Sequence, residues 1–581
     1  MTISNQEDCD EKRNHLLCLV IIVALMLPCH IESWAQSASS NLREPIPAAL
    51  QQKVEQFRSL MAEKKAKGAN VFQAMKLGIQ SRNAAGTGNF EEAIRLIDEA
   101  IAAVKEAKAA ENTTSVDVYK PEAAILQTTG NYKTVDLEVS ADKVTITKAV
   151  PGFKYSHEFV KSKDAFPSNT VKAIGGKVKI NVSSIPLIVE EGADRRSVIG
   201  PSVSLNSPFG GTPIPLPNFD GQYTDIGVKW IRYSGKTMAW DIVEKTKGLY
   251  NWDVCDRLFS ETSKNGIHSL ITVRSFNRWD QGMDKLFKPK APSDMVAFLK
   301  FLAKAVERYD GDRIGNAPGS PVVNYWQIEN EVDGVFGKYW GDTPESYAKL
   351  LKASYQTIKK VNPRAKVVIA GASSVEGFDK FYIPLLKELQ KIKDKPGDRY
   401  FDIFDIHWYG NAGEYRKIRG RDLREFMENY NRTLTNYGYG NTPLWMTETG
   451  SPGGKGVVGK TGEVLREQDE AAQAAELVKR YVYFIGNGVK KVFWFKMANE
   501  PSGKIGTPNG YFENVGLINN PRGNGDSYKK LAYYSYKFLV EMLEGSDWER
   551  IRRIDLGKDV YAYRFLKNGK SIYVMWYDGN Y

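Results

Sequence analysis

The sequence contains little cysteine and little histidine. Its 581 residues include 4 Cys and 5 His, and Cys9, Cys18 and Cys29 all lie near the N-terminus. If that segment is removed from the mature protein, Cys255 is the last remaining thiol, and an internal disulfide is excluded. So few thiols and imidazoles also argue against a structural zinc site. We therefore expect no metal and no cofactor.

The sequence also lacks a hydrophobic run long enough to be a clear transmembrane helix. The apolar stretch Leu16–Cys29 spans about fourteen residues, whereas a bilayer requires about 20. It follows two basic residues and precedes the small residues Ser33 and Ala35, which predicts a signal peptide over residues 1–35 and a secreted or periplasmic protein. Because acidic residues precede the run, an uncleaved anchor and a membrane-anchored protein remain the alternative.

No dense block of basic residues is present. The chain has 80 Lys and Arg against 69 Asp and Glu, a net charge of +11, but the two signs are interspersed. Nucleic-acid modules usually concentrate their positive charge, so no nucleic-acid partner is expected. Stable membrane insertion is expected only if the leader is uncleaved. The sequence does not determine the oligomeric state.

Residues 45–110 are rich in Ala, Glu, Lys and Leu with helical periodicity. The segment Gly88–Ile94 resembles the second half of a tetratricopeptide unit. Because one copy cannot stack into a solenoid, we predict a small helical hairpin domain. It would serve as a spacer or as a docking surface.

Two segments at opposite ends of the chain show the period of two that is typical of half-buried strands. The first covers residues 115–198, and the second, residues 545–581, reads as a hairpin around Asn568-Gly569. The C-terminal strands are too few to be stable alone. We therefore predict that both segments complete one β-sandwich.

The central region, residues 199–544, alternates strand and helix patterns, which predicts an α/β fold of the (β/α)8 barrel type, a TIM barrel. A doubly wound open sheet is the competing fold, but no Gly-rich phosphate loop follows the first candidate strand. The candidate strands are Pro201–Leu205, Val228–Tyr233, His268–Arg274, Val322–Glu329, Lys366–Ala372, Phe401–Trp408, Leu444–Thr447 and Lys490–Lys496. The candidate helices are Trp252–Asn265, Pro292–Tyr309, Pro344–Val361, Phe378–Lys391, Arg421–Tyr437 and Glu467–Gly486.

Two glutamates lie at the ends of the fourth and seventh candidate strands. Val322–Glu331 passes from an apolar run directly into Asn330-Glu331, and Pro443–Glu448 ends in the same way. A barrel places such residues at its C-terminal mouth. Glycoside hydrolysis needs one carboxyl that donates a proton to the leaving oxygen and a second that attacks the sugar or activates water. The two glutamates are therefore candidate catalytic residues.

With these motifs the chain from about Ile199 onwards resembles the clan A glycoside hydrolases, which are retaining (β/α)8 enzymes. Trp326–Glu331 matches the strand-four motif with its acid/base, and Trp445–Gly450 matches the strand-seven motif with its nucleophile. The motifs Lys229–Arg232 on strand two, Asp405–Tyr409 on strand six and Val492–Phe495 on strand eight also follow the family order. The strand-four motif favours a family 42-like branch, whereas the strand-two motif favours family 39.

The resemblance implies roles for individual residues. Glu331 would be the acid/base and Glu448 the nucleophile, with Arg232 holding Glu448 ionised. Asn330 would donate a hydrogen bond to the sugar 2-hydroxyl. Either His407 or Tyr409 would bond to one of the two carboxylates.

Aromatic residues are the candidate sugar platforms. Trp494 would stack on the sugar in the reacting subsite, and Trp279 and Trp340, in the loops after strands three and four, would contact further sugars. Glu329 stands where related enzymes carry an apolar or aromatic residue, and we expect it to bind substrate or to act on Glu331 electrostatically. The loops 276–291 and 499–525 would shape the remaining subsites.

These features predict a retaining glycoside hydrolase that cleaves O-glycosidic bonds of an oligo- or polysaccharide by double displacement. The alternatives are a catalytically silent polysaccharide-binding protein and an envelope protein on the same scaffold. The sequence leaves open the sugar, the linkage, and endo or exo action.

Overall fold

The computed structural model describes two compact units of the chain. The predicted leader lies outside the described residues, and within them no helix is both long and apolar enough to cross a bilayer. The described residues are 47–66, single residues between 74 and 85, 89–106, 132–151, 166–192, 205–213, 222–282, 289–334, 340–409, 415–418, 421–453, 468–499, 511–519 without 513, and 528–579.

The N-terminal unit is helical. It contains the helices Ala48–Ala66 and Phe90–Glu106, and the residues described between 74 and 85 are helical as well. Asn89 caps the second helix, since its side chain accepts a hydrogen bond from the Glu92 N–H at 3.2 Å. The unit buries its own apolar core, which includes Leu50, Phe57, Ile97 and Val104.

Eight parallel strands form the central barrel. The strands are β1 (Phe209–Gly211), β2 (Trp230–Ala239), β3 (His268–Arg274), β4 (Tyr325–Ile328), β5 (Lys366–Val368), β6 (Phe404–Trp408), β7 (Leu444–Thr449) and β8 (Lys491–Trp494). Their order around the sheet is β5-β4-β3-β2-β1-β8-β7-β6, and bridges from Val368 to Ile403 and from Ala372 to Ile406 close it between β5 and β6. The predicted α/β barrel is confirmed.

The first strand lies later in the chain than predicted. The prediction placed it at Pro201–Leu205, but β1 is the short segment Phe209–Gly211. Its two glycines permit close packing, because an added Cβ would lie 2.3 Å from Tyr223 at Gly211 and 2.6 Å from Phe493 at Gly210. A strand of one Phe and two Gly shows neither alternation nor β-branched residues, so the pattern missed it.

Helices surround the strands, and several begin where a polar side chain caps the first turn. Asp294, Thr343, Asp422 and Asp469 each accept a hydrogen bond from a backbone N–H in that turn. The longer helices are Asp253–Lys264, Met295–Arg308, Pro344–Val361, Ile383–Lys391, Leu423–Asn436, Glu470–Gly486 and Leu531–Leu543. The short ones are Gln222–Ile226, Trp240–Val243, Arg278–Gln281, Val375–Gly377 and a π-helix at Phe378–Tyr382.

A six-stranded antiparallel sheet combines strands from both ends of the sequence. In spatial order it contains Arg552–Arg553, Val560–Lys567, Lys570–Tyr577, Leu187–Glu191, Lys143–Lys148 and Ser168–Lys172. A two-stranded sheet of Lys133–Glu138 and Lys177–Val182 packs on it through a shared apolar core. The flanking sandwich is therefore built from both predicted segments.

The N-terminal ends of the barrel strands surround a cavity of about 720 Å³. Trp445, Lys491 and Trp548 are among the residues that line it. The C-terminal strand ends, where β4 and β7 deliver their glutamates, are at the other end of the barrel.

Candidate active site

The two predicted catalytic glutamates lie together at the C-terminal mouth of the barrel. One carboxylate oxygen of Glu331, one of Glu448 and a ring nitrogen of His407 all lie within 4.8 Å of one another. Both side chains are mostly buried, with exposed fractions of 18% for Glu331 and 10% for Glu448. Glu331 has a φ of 44°, so the chain turns sharply as it leaves β4.

Arg232, at the interior of β2, joins the two strand ends. Its guanidinium is fully buried and donates to Glu448 Oε1 at 2.6 Å, to Asn330 Oδ1 at 2.6 Å and to Gln327 Oε1 at 2.9 Å. Because Asn330 accepts this bond through its oxygen, its NH₂ group is left to donate elsewhere.

Tyr409 and His407 bond to different carboxylates. The Tyr409 hydroxyl donates to Glu448 Oε2 at 2.8 Å, whereas His407 Nδ1 lies 2.9 Å from Glu331 Oε1 and 3.8 Å from Glu448 Oε2. The sequence left open whether His407 or Tyr409 bonds to one of the two carboxylates. In the structure Tyr409 bonds to Glu448 and His407 to Glu331.

The environment favours an ionised Glu448. Burial alone would raise the pKa of its carboxyl, but the charges of His407 and Arg232 and the hydrogen bonds from Arg232 and Tyr409 outweigh burial and lower the pKa to about 2. The same carboxylates raise the pKa of the His407 imidazole. Burial opposes its charged form, yet the charges of Glu448 and Asp405 and its bonds to Asp405 and Glu331 raise its pKa to about 10.

A layer of buried polar residues supports the mouth from below. Asp405 is fully buried and accepts from Gln327 Nε2 at 2.5 Å and from Thr447 Oγ1 at 2.6 Å. Gln327 also accepts a bond from Thr272 Oγ1 at 2.9 Å. Asp405, Thr447 and Thr272 were not predicted as functional residues. Their signal in the sequence is polar side chains inside strands that are otherwise apolar.

Glu329 does not lie where substrate could reach it. It is fully buried, its Oε1 accepts from the Ser275 N–H at 2.5 Å, and its Oε2 lies 2.7 Å from Arg274 Nε. The predicted substrate contact is therefore corrected, because this carboxylate ties the end of β4 to the end of β3. Its φ of 65° lies in the left-handed region, so the regular strand conformation has ended at this residue.

The tryptophan predicted as a sugar platform at the end of β8 is not exposed. Trp494 is fully buried in the core and its indole N–H donates to Val515 O at 2.9 Å. Phe495 is half-buried instead and meets the Tyr409 ring edge-on, with centroids 5.9 Å apart. Phe495 follows the last residue of β8, and its ring lies next to the tyrosine that bonds to Glu448. A cis peptide bond joins Phe495 to Lys496.

The two loop tryptophans are packed against the protein. Trp340 is buried, edge-on to Tyr347, and cannot offer a face to a sugar. Trp279 is half-buried, meets Trp240 edge-on and donates to Glu244 O at 2.9 Å. Parts of the mouth loops, including 283–288 and 500–510, lie outside the described residues.

The carboxylates and the imidazole are close enough to one another to hold a cation. Two positive groups already neutralise them, since Arg232 bonds to Glu448 and His407 is raised into its charged form. These charges would repel a metal ion, and we assign no metal site here.

No family model matches this chain, and no curated protein matches its sequence. Among solved structures, it is similar to a family 39 glycoside hydrolase from Bacteroides cellulosilyticus WH2, with 20% identity, a TM-score of 0.47, and coverage of 77% of this chain and 87% of the other. It is also similar to a GH39 enzyme from Xanthomonas axonopodis pv. citri, with 15% identity, a TM-score of 0.43, and coverage of 62% and 71%. The α-L-arabinofuranosidase AbfB of family 51 from Bifidobacterium longum gives 12% identity, a TM-score of 0.41, and coverage of 62% and 76%.

Proposed function

We propose that this protein is a retaining glycoside hydrolase, with Glu331 as acid/base and Glu448 as nucleophile. The observation that carries the proposal is the pair of carboxylates within 4.8 Å of each other at the barrel mouth. Retaining enzymes place their carboxyls about 5–5.5 Å apart, whereas inverting enzymes need about 6.5–9.5 Å to fit a water.

The two carboxylates have unlike surroundings, which suits unlike roles. Glu448, held ionised by Arg232 and Tyr409, would attack the anomeric carbon while Glu331 protonates the leaving oxygen. The glycosyl ester on Glu448 would then be cleaved by a water that Glu331 deprotonates. The free NH₂ of Asn330 would donate to the sugar 2-hydroxyl.

The substrate would be an oligo- or polysaccharide. The leader predicted from the sequence supports a protein that acts outside the cytoplasm, on glycans found there. The family 39-like strand-two motif and the family 42-like strand-four motif give no single sugar preference.

The assignment is tested with aryl glycosides and polysaccharides, with the product anomer read by NMR. Glu331→Gln should lower kcat/KM by about 10²–10⁴-fold, the usual contribution of acid catalysis, and Glu448→Gln at least as much. Glu428→Gln, an exposed change on the helix Leu423–Asn436, is the control and should retain activity.

Azide separates the two roles. With Glu331→Ala, azide can attack the glycosyl ester and should yield a glycosyl azide of retained configuration; with Glu448→Ala it should yield the inverted one. Inverted products from the wild type would refute the double displacement. Glycan binding without turnover in the wild type would favour the silent binding protein.

A further inference from the structure

Asp405 is a fully buried carboxylate to which the proposed chemistry gives no role. It accepts four hydrogen bonds, from Gln327 Nε2 at 2.5 Å, Thr447 Oγ1 at 2.6 Å, the Thr447 N–H at 3.0 Å and His407 Nε2 at 3.2 Å. An ionised carboxylate is an acceptor only and has room for about four such bonds. This set of donors therefore fills the acceptor positions of Asp405 and fixes its carboxylate beneath His407.

His407 is enclosed on every side by elements of the barrel. From β4 it faces Glu331, from β7 Glu448 and Thr447, and from β6 Asp405. On the β5 side the neighbour is Gly371, where an added Cβ would lie 2.2 Å from His407 Nε2 and 2.7 Å from Asp405 Oδ2. The glycine lets the chain close over the pair, so solvent cannot take the place of Asp405.

We propose that Asp405 is a positioning residue that keeps both nitrogens of His407 protonated, so that Nδ1–H always donates to Glu331. The proposal rests on the proposed function for its catalytic meaning. The geometry that carries it is the line Asp405, His407, Glu331, with separations of 3.2 Å and 2.9 Å across the imidazole.

The direction of the His407–Glu331 hydrogen bond matters for catalysis. If Nδ1 donates to Oε1, the proton that Glu331 must deliver has to reside on Oε2, which is free to face a leaving group. If His407 were neutral with its proton on Nε2, Nδ1 would accept the proton of Glu331 and hold it away from the substrate. The charge of Asp405 offsets the buried imidazolium and so excludes this second arrangement.

The charge state of His407 can be read directly by NMR. The full chain is labelled with [¹⁵N]histidine, and the His407 resonances are assigned by their loss in His407→Asn. In the wild type both ring nitrogens should be protonated from pH 6 to 9, consistent with a pKa of about 10. Asp405→Asn keeps the size but removes the charge, and the His407 midpoint should fall by about 1–3 pH units.

Asp402→Asn is the matched control. Asp402 lies three positions upstream in the same segment, half-buried, and pairs with Lys359 at 3.0 Å rather than with His407. It should leave the His407 titration unchanged. Kinetically, Asp405→Asn should reduce kcat/KM about 10-fold for aryl glycosides with poor leaving groups, which need the acid, and much less for a dinitrophenyl glycoside.

The NMR and kinetic results test the role of Asp405 and the proposed function separately. A neutral His407 at pH 7 in the wild type overturns the positioning proposal even if Asp405→Asn fails to fold. A His407 midpoint in Asp405→Asn that stays at its wild-type pH overturns it as well. If His407 responds as expected but the wild type hydrolyses no glycoside, the proposed function fails while the control of His407 by Asp405 stands.

Discussion

At the residue scale, the state of Glu448 depends on two donors from different strands. Arg232 bonds to one carboxylate oxygen and Tyr409 to the other. Both are buried, so neither bond competes with water. Attack on the anomeric carbon requires the ionised form, and these donors maintain it.

Removing the tyrosine hydroxyl should therefore alter the pH dependence of the enzyme. Since Tyr409 helps to lower the Glu448 pKa to about 2, Tyr409→Phe should raise that pKa. The acidic limb of the kcat/KM profile should move to higher pH, and kcat should fall about tenfold or more at neutral pH. Tyr437→Phe, a half-buried change remote from the mouth, is the control. An acidic limb that stays in place would contradict this role.

The sequence was enough to locate the charged residues in and at the ends of the barrel strands. It was not enough to tell which of two neighbouring aromatic residues is buried. Glu331, Glu448 and Arg232 are recognisable because they end or interrupt apolar strands. Trp494 and Phe495 are both aromatic, and only the structure shows that Trp494 is fully buried whereas Phe495 is half-buried beside Tyr409. The substrate contact expected for Glu329 came from its position in the family motif, and that position does not reveal the buried pair that it forms with Arg274.

At the element scale, the start of β8 carries an unusual lysine. Lys491 is buried at the barrel floor, donates to Leu205 O at 2.6 Å and lies over the rings of Trp230 and Trp445. Burial lowers its pKa from 10.5 to about 7. The folded state therefore resists a charge that the unfolded chain accepts freely.

Lys491→Met should stabilise the protein in a pH-dependent way. Between pH 7 and 10.5 the unfolded wild type binds more protons than the folded form, so its stability rises with pH over this window. The variant lacks this slope, and its gain should be largest, about 1–4 kcal/mol, near pH 7 and should vanish by about pH 10.5. Lys490→Met, at an exposed neighbour, is the control. Denaturant unfolding at several pH values measures the free energy of unfolding of each variant and of the wild type. A gain in Lys491→Met that does not change with pH would contradict the proposed pKa of Lys491.

The elements themselves were largely predictable because their periodicity is strong. Pro344–Val361 was predicted with the bounds that the structure gives, since Thr343 caps the helix and a proline begins it. The segment Phe378–Lys391 was less regular than predicted. It begins as a π-helix and becomes an α-helix at Ile383, next to Pro384, which has no N–H to donate.

At the scale of the whole molecule, the C-terminal hairpin is bound to the barrel through a buried charge cluster. Asp578 follows the last strand, is almost fully buried, and accepts from Lys479 Nζ at 2.8 Å and from the Tyr415 hydroxyl. Lys479 belongs to the helix after β7 and Tyr415 to the segment after β6. The sandwich and the barrel should therefore unfold together.

Asp578→Asn tests this connection. It would leave the ammonium of Lys479 buried beside a neutral partner, which costs about 3–5 kcal/mol. We expect a lower Tm with one cooperative transition for barrel and sandwich. Glu549→Gln, in the exposed pair with Lys490, should change Tm little. Two separate transitions in calorimetry, or an unchanged Tm in Asp578→Asn, would contradict the connection.

The six-stranded sheet also sets an order of events during synthesis. Leu187–Glu191 pairs on one side with Lys143–Lys148 but on the other with Lys570–Tyr577, so the barrel sequence is made between these two partners. Until the last strand leaves the ribosome, Leu187–Glu191 is an apolar strand with an unpaired edge. Long-range pairing of this kind is slow. Completion of the sandwich must consequently wait until the barrel sequence has been synthesised, and the nascent chain needs protection from aggregation until then.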